Sequence, residues 1–215
     1  VRPILKWVGT TEVTNNICSA YVQWTYNHYT VLGNKTSTHG FNAALRDCMA
    51  RGCSHILVGS WDAAYYLKVV PFWQLYLYFT EIKGMTDFYP TIYHTCRNYV
   101  DCADMSSEEA MCRFMELVSD LTKTDMTEFF ERWGFLKPLE NMWFNDYGAV
   151  EVNISEARIN QAIEYMSKYE KPTQPIWFIT ENNLHLFKEK PQVKVGTAAL
   201  NQAQDTYRFS DWENC

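Results

Sequence analysis

The chain has 215 residues, 47% of them hydrophobic and 16% aromatic, which is enough to bury one sizeable core with a smaller appendage. A formal charge of -6, with 19 scattered Lys and Arg residues, excludes the clustered basic footprint that a nucleic-acid partner requires. No membrane span is predicted, because the richest apolar stretch, 69–79, is interrupted by Pro71 and Gln74 and falls short of the roughly 18 residues a crossing helix needs.

Along the chain, Val13, Ile17, Ala20, Tyr21 and Trp24 recur at helical spacing and predict a helix over 11–28, with Thr10 or Thr11 as its cap. Glu12, Asn16 and Ser19 then share one polar strip of that helix. A Gly-, Asn-, Thr- and Ser-rich loop over 32–40 leads to a short helix near 42–50 that Gly52 ends. Residues 62–79 have helical periodicity, with Asp62 as N-cap beside a buried Trp61. Pro71 in their middle predicts a kink or two helices in series. Gly84 is the stop.

The next predicted helix covers 88–99, with Pro90 in its first turn. Ser106 and Glu109 form a capping box for a helix carrying Met111, Phe114, Met115, Val118 and Leu121. Thr124 opens another, with Phe129, Phe130 and Trp133 inward and Gly134 at its end. After Pro138 the pattern changes. Asp146, Tyr147 and Gly148 signal a turn, 150–154 alternates as a half-buried strand does, and Ser155 caps a helix with Ile159, Ala162, Ile163 and Met166 on one face. The runs 176–179 and 184–187 predict strands around an Asn182-Asn183 turn.

The fold class expected is therefore mainly α: a helical body over 1–136, followed by a small mixed α/β extension over 137–215. The chain reads as a fragment, since Val1 opens without Met or signal peptide and 209–215 stops without a breaker or polar tail. Seven cysteines make an odd count. Cys18 and Cys112 fall on apolar helix faces as core residues, while Cys48 with Cys53, or Cys96 with Cys102, are spaced for local bridges or for reduced thiols alike. The rings of Tyr65, Phe72, Trp73, Tyr76, Phe79, Phe129, Phe130 and Trp133 have core spacing rather than the look of a sugar-stacking surface.

Three segments together carry a family resemblance. Trp7-Val8-Gly9-Thr10-Thr11-Glu12-Val13-Thr14-Asn15-Asn16 resembles the stretch of enhancin-like, mucin-degrading zinc peptidases (peptidase family M60, gluzincins) that follows the HExxH helix and supplies a third metal ligand as glutamate. Residues 59–63, running through Leu67 into 70–79, are similar to that family's long buried helix, and 125–135 to its closing helix. The resemblance implies the C-terminal part of a catalytic domain. It puts Glu12 in the zinc-ligand role, with Asn16 one turn on as its orienting partner and Trp7, Gly9 and Thr11 as candidate lining of the substrate cleft. The chemistry is consistent, because a catalytic zinc takes three protein ligands from His and carboxylate and keeps a position for water.

The sequence departs from the family pattern at one point that decides its chemistry. None of the five histidines (His28, His39, His55, His94, His185) has a second histidine four residues on, so no HExxH occurs in the chain. The resemblance implies that this pair lies upstream of Val1. The chain alone is then expected to be inactive, while its parent is expected to be a secreted or surface-anchored, extracellular hydrolase. That parent would cleave peptide bonds in glycoproteins of mucin type, with glycan contact. The competing expectation is a non-catalytic pseudopeptidase that binds glycan or a protein partner, against which the retention of Glu12 speaks.

Overall fold

The computed structural model describes residues 5–33, 40–58, 64–98 and 105–189. His39, Trp61, Asp62 and Cys102, named above, lie outside them.

Helix α1, Val13–Asn27, buries Val13, Thr14, Ile17 and Ala20, and ends where His28 turns left-handed and its N–H donates to the Trp24 carbonyl. Neither Thr10 nor Thr11 caps it; Glu12 holds the N-cap position with no side-chain cap bond. The Thr10 hydroxyl is engaged instead in a tight turn with Trp7, accepting from its N–H at 3.0 Å and donating to its carbonyl at 2.7 Å. After α2, Phe41–Ala44, the chain widens into a π-helical turn, Leu45–Met49, and Gly52 reverses it at φ 62°.

The central element is α3, Ala64–Leu75, which passes through Pro71 and continues as a π-helical segment, Tyr76–Ile82, before Gly84 at φ 73° stops it. The predicted division at Pro71 is absent. Val70, Phe72 and Trp73 on either side are at most 1% exposed, so packing on all faces holds the helix through the hydrogen bond that proline cannot make. α1 lies on α3, with the Trp24 and Trp73 rings edge to face at 6.3 Å and those of Tyr21 and Tyr76 at 5.8 Å.

α4, Phe88–Asn98, and α5, Ser107–Thr122, complete the wall. Ser106 caps α5 by accepting from the Glu109 N–H at 3.1 Å, but the Glu109 carboxylate turns outward to Arg113 and Arg158 rather than closing the box. α6, Thr127–Arg132, brings Phe129 and Phe130 inward. Cys112 is buried as expected, whereas Cys18 is exposed, because it faces the open groove between α1 and α4 rather than α3. Burial pushes the Cys48 thiol up to about 12, and this thiol is free.

Beyond the helical body, β1, Leu139–Asn145, and β2, Ala149–Ile154, form an antiparallel hairpin in which Phe144 faces Val150 and Asn145 faces Ala149. Ser155 caps α7, Glu156–Met166, by accepting from the Arg158 N–H. The two strands expected at 176–179 and 184–187 are helical: a 3-10 turn over Ile176–Phe178 and α8 over Leu184–Glu189. The cause lies in α3, where the Gln74 amide donates to the Trp177 and Ile179 carbonyls at 2.9 and 2.8 Å and takes up backbone groups a sheet would have paired. Among the described residues no helix is long and apolar enough to cross a membrane.

Candidate functional site

The loop from Trp7 to Glu12 is fixed from below by aromatic packing. Trp7 is 2% exposed and its ring contacts those of Phe72, Phe114 and Phe135 at 6.0, 5.6 and 6.2 Å. It therefore pins the loop to the core and lines no open cleft. Its N–H and hydroxyl partners close the turn, after which the Val13 N–H bonds the Thr10 carbonyl at 2.9 Å and the helix begins.

Gly9 sits at φ 80°, a region L-residues rarely adopt, and a Cβ there would meet Lys68 Nζ at 2.5 Å and the Ile56 carbonyl oxygen at 3.1 Å. The left-handed backbone already requires the glycine, and the close approach of a lysine from α3 adds to that requirement. Lys68 is 2% exposed and its ammonium donates to the Gly9 carbonyl at 3.0 Å and the Ile56 carbonyl at 2.7 Å, beneath the Phe144 ring at 4.3 Å. Burial lowers it to about 8, partly opposed by the charge of Asp146. Under it lies His55, stacked on Phe135 at 4.1 Å, with its Nε2 3.3 Å from the Lys68 carbonyl. Burial, aided by the neighbouring ammonium, pushes His55 down to about 3, so the imidazole is neutral and structural.

From above, the loop meets the hairpin tip. Asp146 Oδ2 accepts from the Gly9 N–H at 2.9 Å and from the Thr11 hydroxyl at 3.1 Å. The Tyr147 hydroxyl donates to Glu12 Oε1. Glu12 itself is half-buried at the mouth of the loop. The Asn16 amide donates at 2.6 Å to the backbone carbonyl of Glu12, so its contact fixes the main chain of the first helical turn. Gly9, Thr11, Glu12 and Asn16 are thus gathered at one end of α1, while Trp7 is beneath them.

Asp146, Tyr147 and Lys68 were not among the residues the sequence singled out for the site. Asp146 and Tyr147 lie 135 positions from their partners Thr11 and Glu12 and were legible only as a turn. Lys68 carried a usable signal, a single cation inside the apolar run Leu67-Lys68-Val69-Val70. Farther along α1, Cys18, Tyr21 and Val22 face Tyr89 and Tyr93 across an open apolar groove of about 710 Å³.

As a donor set, the described residues contain no group of three or more His, Cys, Asp and Glu able to hold a metal. Glu12 presents a single carboxylate at the head of α1, with Oε1 accepting from the Tyr147 hydroxyl.

The family described as peptidase M60, enhancin and enhancin-like, matches residues 2–134. Among solved structures, the chain is similar to a metallopeptidase in complex with Tn antigen, at 25% identity and a TM-score of 0.64, covering 82% of this chain and 32% of that one. It is similar to a metallopeptidase from Bacteroides thetaiotaomicron at 25% identity and a TM-score of 0.65, covering 82% of this chain and 29% of that one. A functionally unknown conserved protein from Bacillus anthracis strain Ames, in mutant form, shares the fold at 24% identity and a TM-score of 0.55, covering 84% of this chain and 31% of that one. The chain thus spans about a third of the length of each of these structures, at 32%, 29% and 31%. No curated protein matches it.

Proposed function

Because the chain belongs to the peptidase M60, enhancin and enhancin-like, family, we propose that it is part of a zinc metallopeptidase that hydrolyses peptide bonds in mucin-type glycoproteins outside the cell, with Glu12 as one zinc ligand. The observation that carries the reading is the family match over 2–134, which contains Glu12 at the head of α1. The neighbouring metallopeptidase in complex with Tn antigen supports a glycosylated substrate.

Zinc, when bound, supplies Lewis-acid polarisation of the scissile carbonyl and a water acidic enough to act as nucleophile near neutral pH. This chain's own residues hold one ligand in place. Lys68 and Asp146 secure the backbone on either side of Gly9, and Asn16 secures the Glu12 carbonyl, so the carboxylate starts from a fixed main chain. The histidine pair that the family uses has no counterpart in this sequence, and the chain alone is accordingly expected not to hydrolyse peptides.

A second reading, a non-catalytic pseudopeptidase module that binds glycan or a protein partner, draws its support from the neighbouring structure in complex with Tn antigen. One experiment separates the two. The intact natural protein is incubated with an O-glycosylated mucin and with the same mucin stripped of glycan, with zinc present, removed by chelation and restored. Cleavage of the glycosylated form that disappears on chelation and returns with zinc is the expected result. Binding without cleavage in every condition would favour the module and defeat the peptidase.

A further inference from the structure

We propose that the tip of the β1–β2 hairpin, Asp146 with Tyr147, is a clamp that sets the Glu12 carboxylate for its metal, so that the site depends on residues outside the family-matched segment. The proposal rests on the reading of Glu12 as a zinc ligand. The family match ends at residue 134 and the hairpin begins at Leu139, yet three of the polar contacts that fix residues 9–12 come from its tip.

The contacts are complementary in what they restrain. Asp146 accepts from the Gly9 N–H and Lys68 donates to the Gly9 carbonyl, so both polar groups of one flexible residue are engaged from opposite sides. The Thr11 hydroxyl bonds the same Asp146 oxygen, extending the grip to the residue before Glu12. Tyr147 then restrains the Glu12 side chain itself by donating to Oε1. A carboxylate held by a neighbouring donor before the metal arrives gives up less freedom on binding.

The hairpin turn places Tyr147 for this contact. This residue sits at φ 58°, a left-handed conformation that costs a bulky side chain free energy, and it is 81% exposed. Burial of its ring does not compensate for that strain. The conformation delivers the phenol hydroxyl to Glu12. The Asn145 side chain, accepting from the Gly148 N–H at 3.2 Å, and the Phe144 ring against Lys68 hold the tip in this geometry. Asp146, Tyr147 and Lys68 are positioning residues in this account.

The test measures zinc affinity in the intact natural protein, by competition with a chromophoric chelator, alongside the thermal midpoint of each variant freed of zinc. Tyr147→Phe keeps the ring and removes the hydroxyl; it should weaken zinc by about 10-fold with an unchanged midpoint. Asp146→Ala should weaken zinc by about 10- to 100-fold and speed hydrogen exchange at the Gly9 amide. Asp146→Asn, which still offers an acceptor oxygen to Gly9 and Thr11, should recover most of both. Glu12→Gln is measured in parallel. Unchanged zinc affinity in Tyr147→Phe and Asp146→Ala, with zinc lost in Glu12→Gln, would overturn the clamp and leave the ligand standing. A lowered midpoint with unchanged affinity in Asp146→Ala would likewise overturn it, reducing the contact to fold maintenance. Retention of zinc in Glu12→Gln defeats the ligand reading, and the clamp with it.

Discussion

In the helical body Phe72, Phe114 and Phe130 are at most 1% exposed and meet ring to ring, whereas the extension after Leu139 joins the same core through Val152, Ile154, Ile159, Met166 and Ile176 and adds charges and amides to that packing. Arg158 of α7 bridges Glu109 at 2.6 Å and Glu116 at 2.8 Å on α5. Asp120 accepts from the hydroxyls of Tyr165 and Tyr169 at 2.7 and 2.6 Å. Glu181 accepts from the Trp73 indole at 2.8 Å and from the Thr30 N–H at 3.0 Å. Apolar packing is non-directional and tolerates small shifts; hydrogen bonds and ion pairs fix one register. A hairpin that must deliver Asp146 and Tyr147 to a particular loop is therefore better joined to the body by polar contacts than by packing alone.

The comparison predicts different costs in the two regions. Phe72→Ala, in the body, should destabilise by about 4 kcal/mol through lost transfer energy and a residual cavity, read from urea unfolding of the chain. A loss well under 2 kcal/mol would mean that the aromatic core repacks, and the contrast between the regions would blur. Gln74→Leu, at the junction, should cost about 2 to 3 kcal/mol although it adds apolar surface. It strands the Trp133 indole N–H, now bonded at 2.8 Å, and the Trp177 and Ile179 carbonyls. A neutral or stabilising result would show that apolar packing alone holds the junction and that the Gln74 amide adds nothing to it.

Two smaller effects sharpen the boundary through pH. The unfolded chain takes up a proton on His55 at its ordinary value near 6.5, while the buried imidazole refuses it until about 3. That contribution to stability is complete above pH 6.5 and is lost as pH falls toward 3. His55→Gln should flatten the acid limb by about 1.4 kcal/mol per pH unit inside that window, measured by denaturant unfolding at several pH values. Lys68 works in the opposite range. Its folded value of about 8 lies below the 10.5 of the unfolded chain, so the cost of burying the ammonium is full below pH 8 and stability rises with pH from there to 10.5. Lys68→Met should abolish that rise while changing stability at neutral pH by no more than about 1 kcal/mol, because the relieved desolvation offsets the two lost hydrogen bonds. A rise that survives the substitution would assign it to another group.

The fold was legible where one physical signal dominated. Helical periodicity located α1, α4 and α5, the glycines at 52, 84 and 134 do take positive φ, and Asp146 to Gly148 is the hairpin turn. It was not legible where a distant side chain decides. Ile176, Trp177, Phe178 and Ile179 are four apolar residues in a row, a pattern that fits a buried strand as well as a helical turn, and the arbiter is Gln74 about a hundred positions earlier, at separations of 103 and 105. At Pro71 the expected division into two helices does not occur, for a related reason, since total burial outweighs one missing hydrogen bond. At the site, Glu12 was visible only through the resemblance of its flanking residues, and the groups that hold it come from β1, the hairpin turn and α3, which no local pattern connects.

Glu12 carries the central claim, and Glu12→Gln in the intact natural protein tests it most directly, because the change keeps size and helix while replacing a charged oxygen donor with a weaker neutral one. Zinc content, thermal midpoint and cleavage of an O-glycosylated mucin are measured together for both proteins. The account predicts that zinc falls from stoichiometric to trace and that cleavage drops by about two orders of magnitude or more. Measured on the zinc-free proteins, the midpoint should stay within the roughly 1 kcal/mol that a helix-terminal charge is worth. Full zinc occupancy with full cleavage in the Gln protein would contradict it.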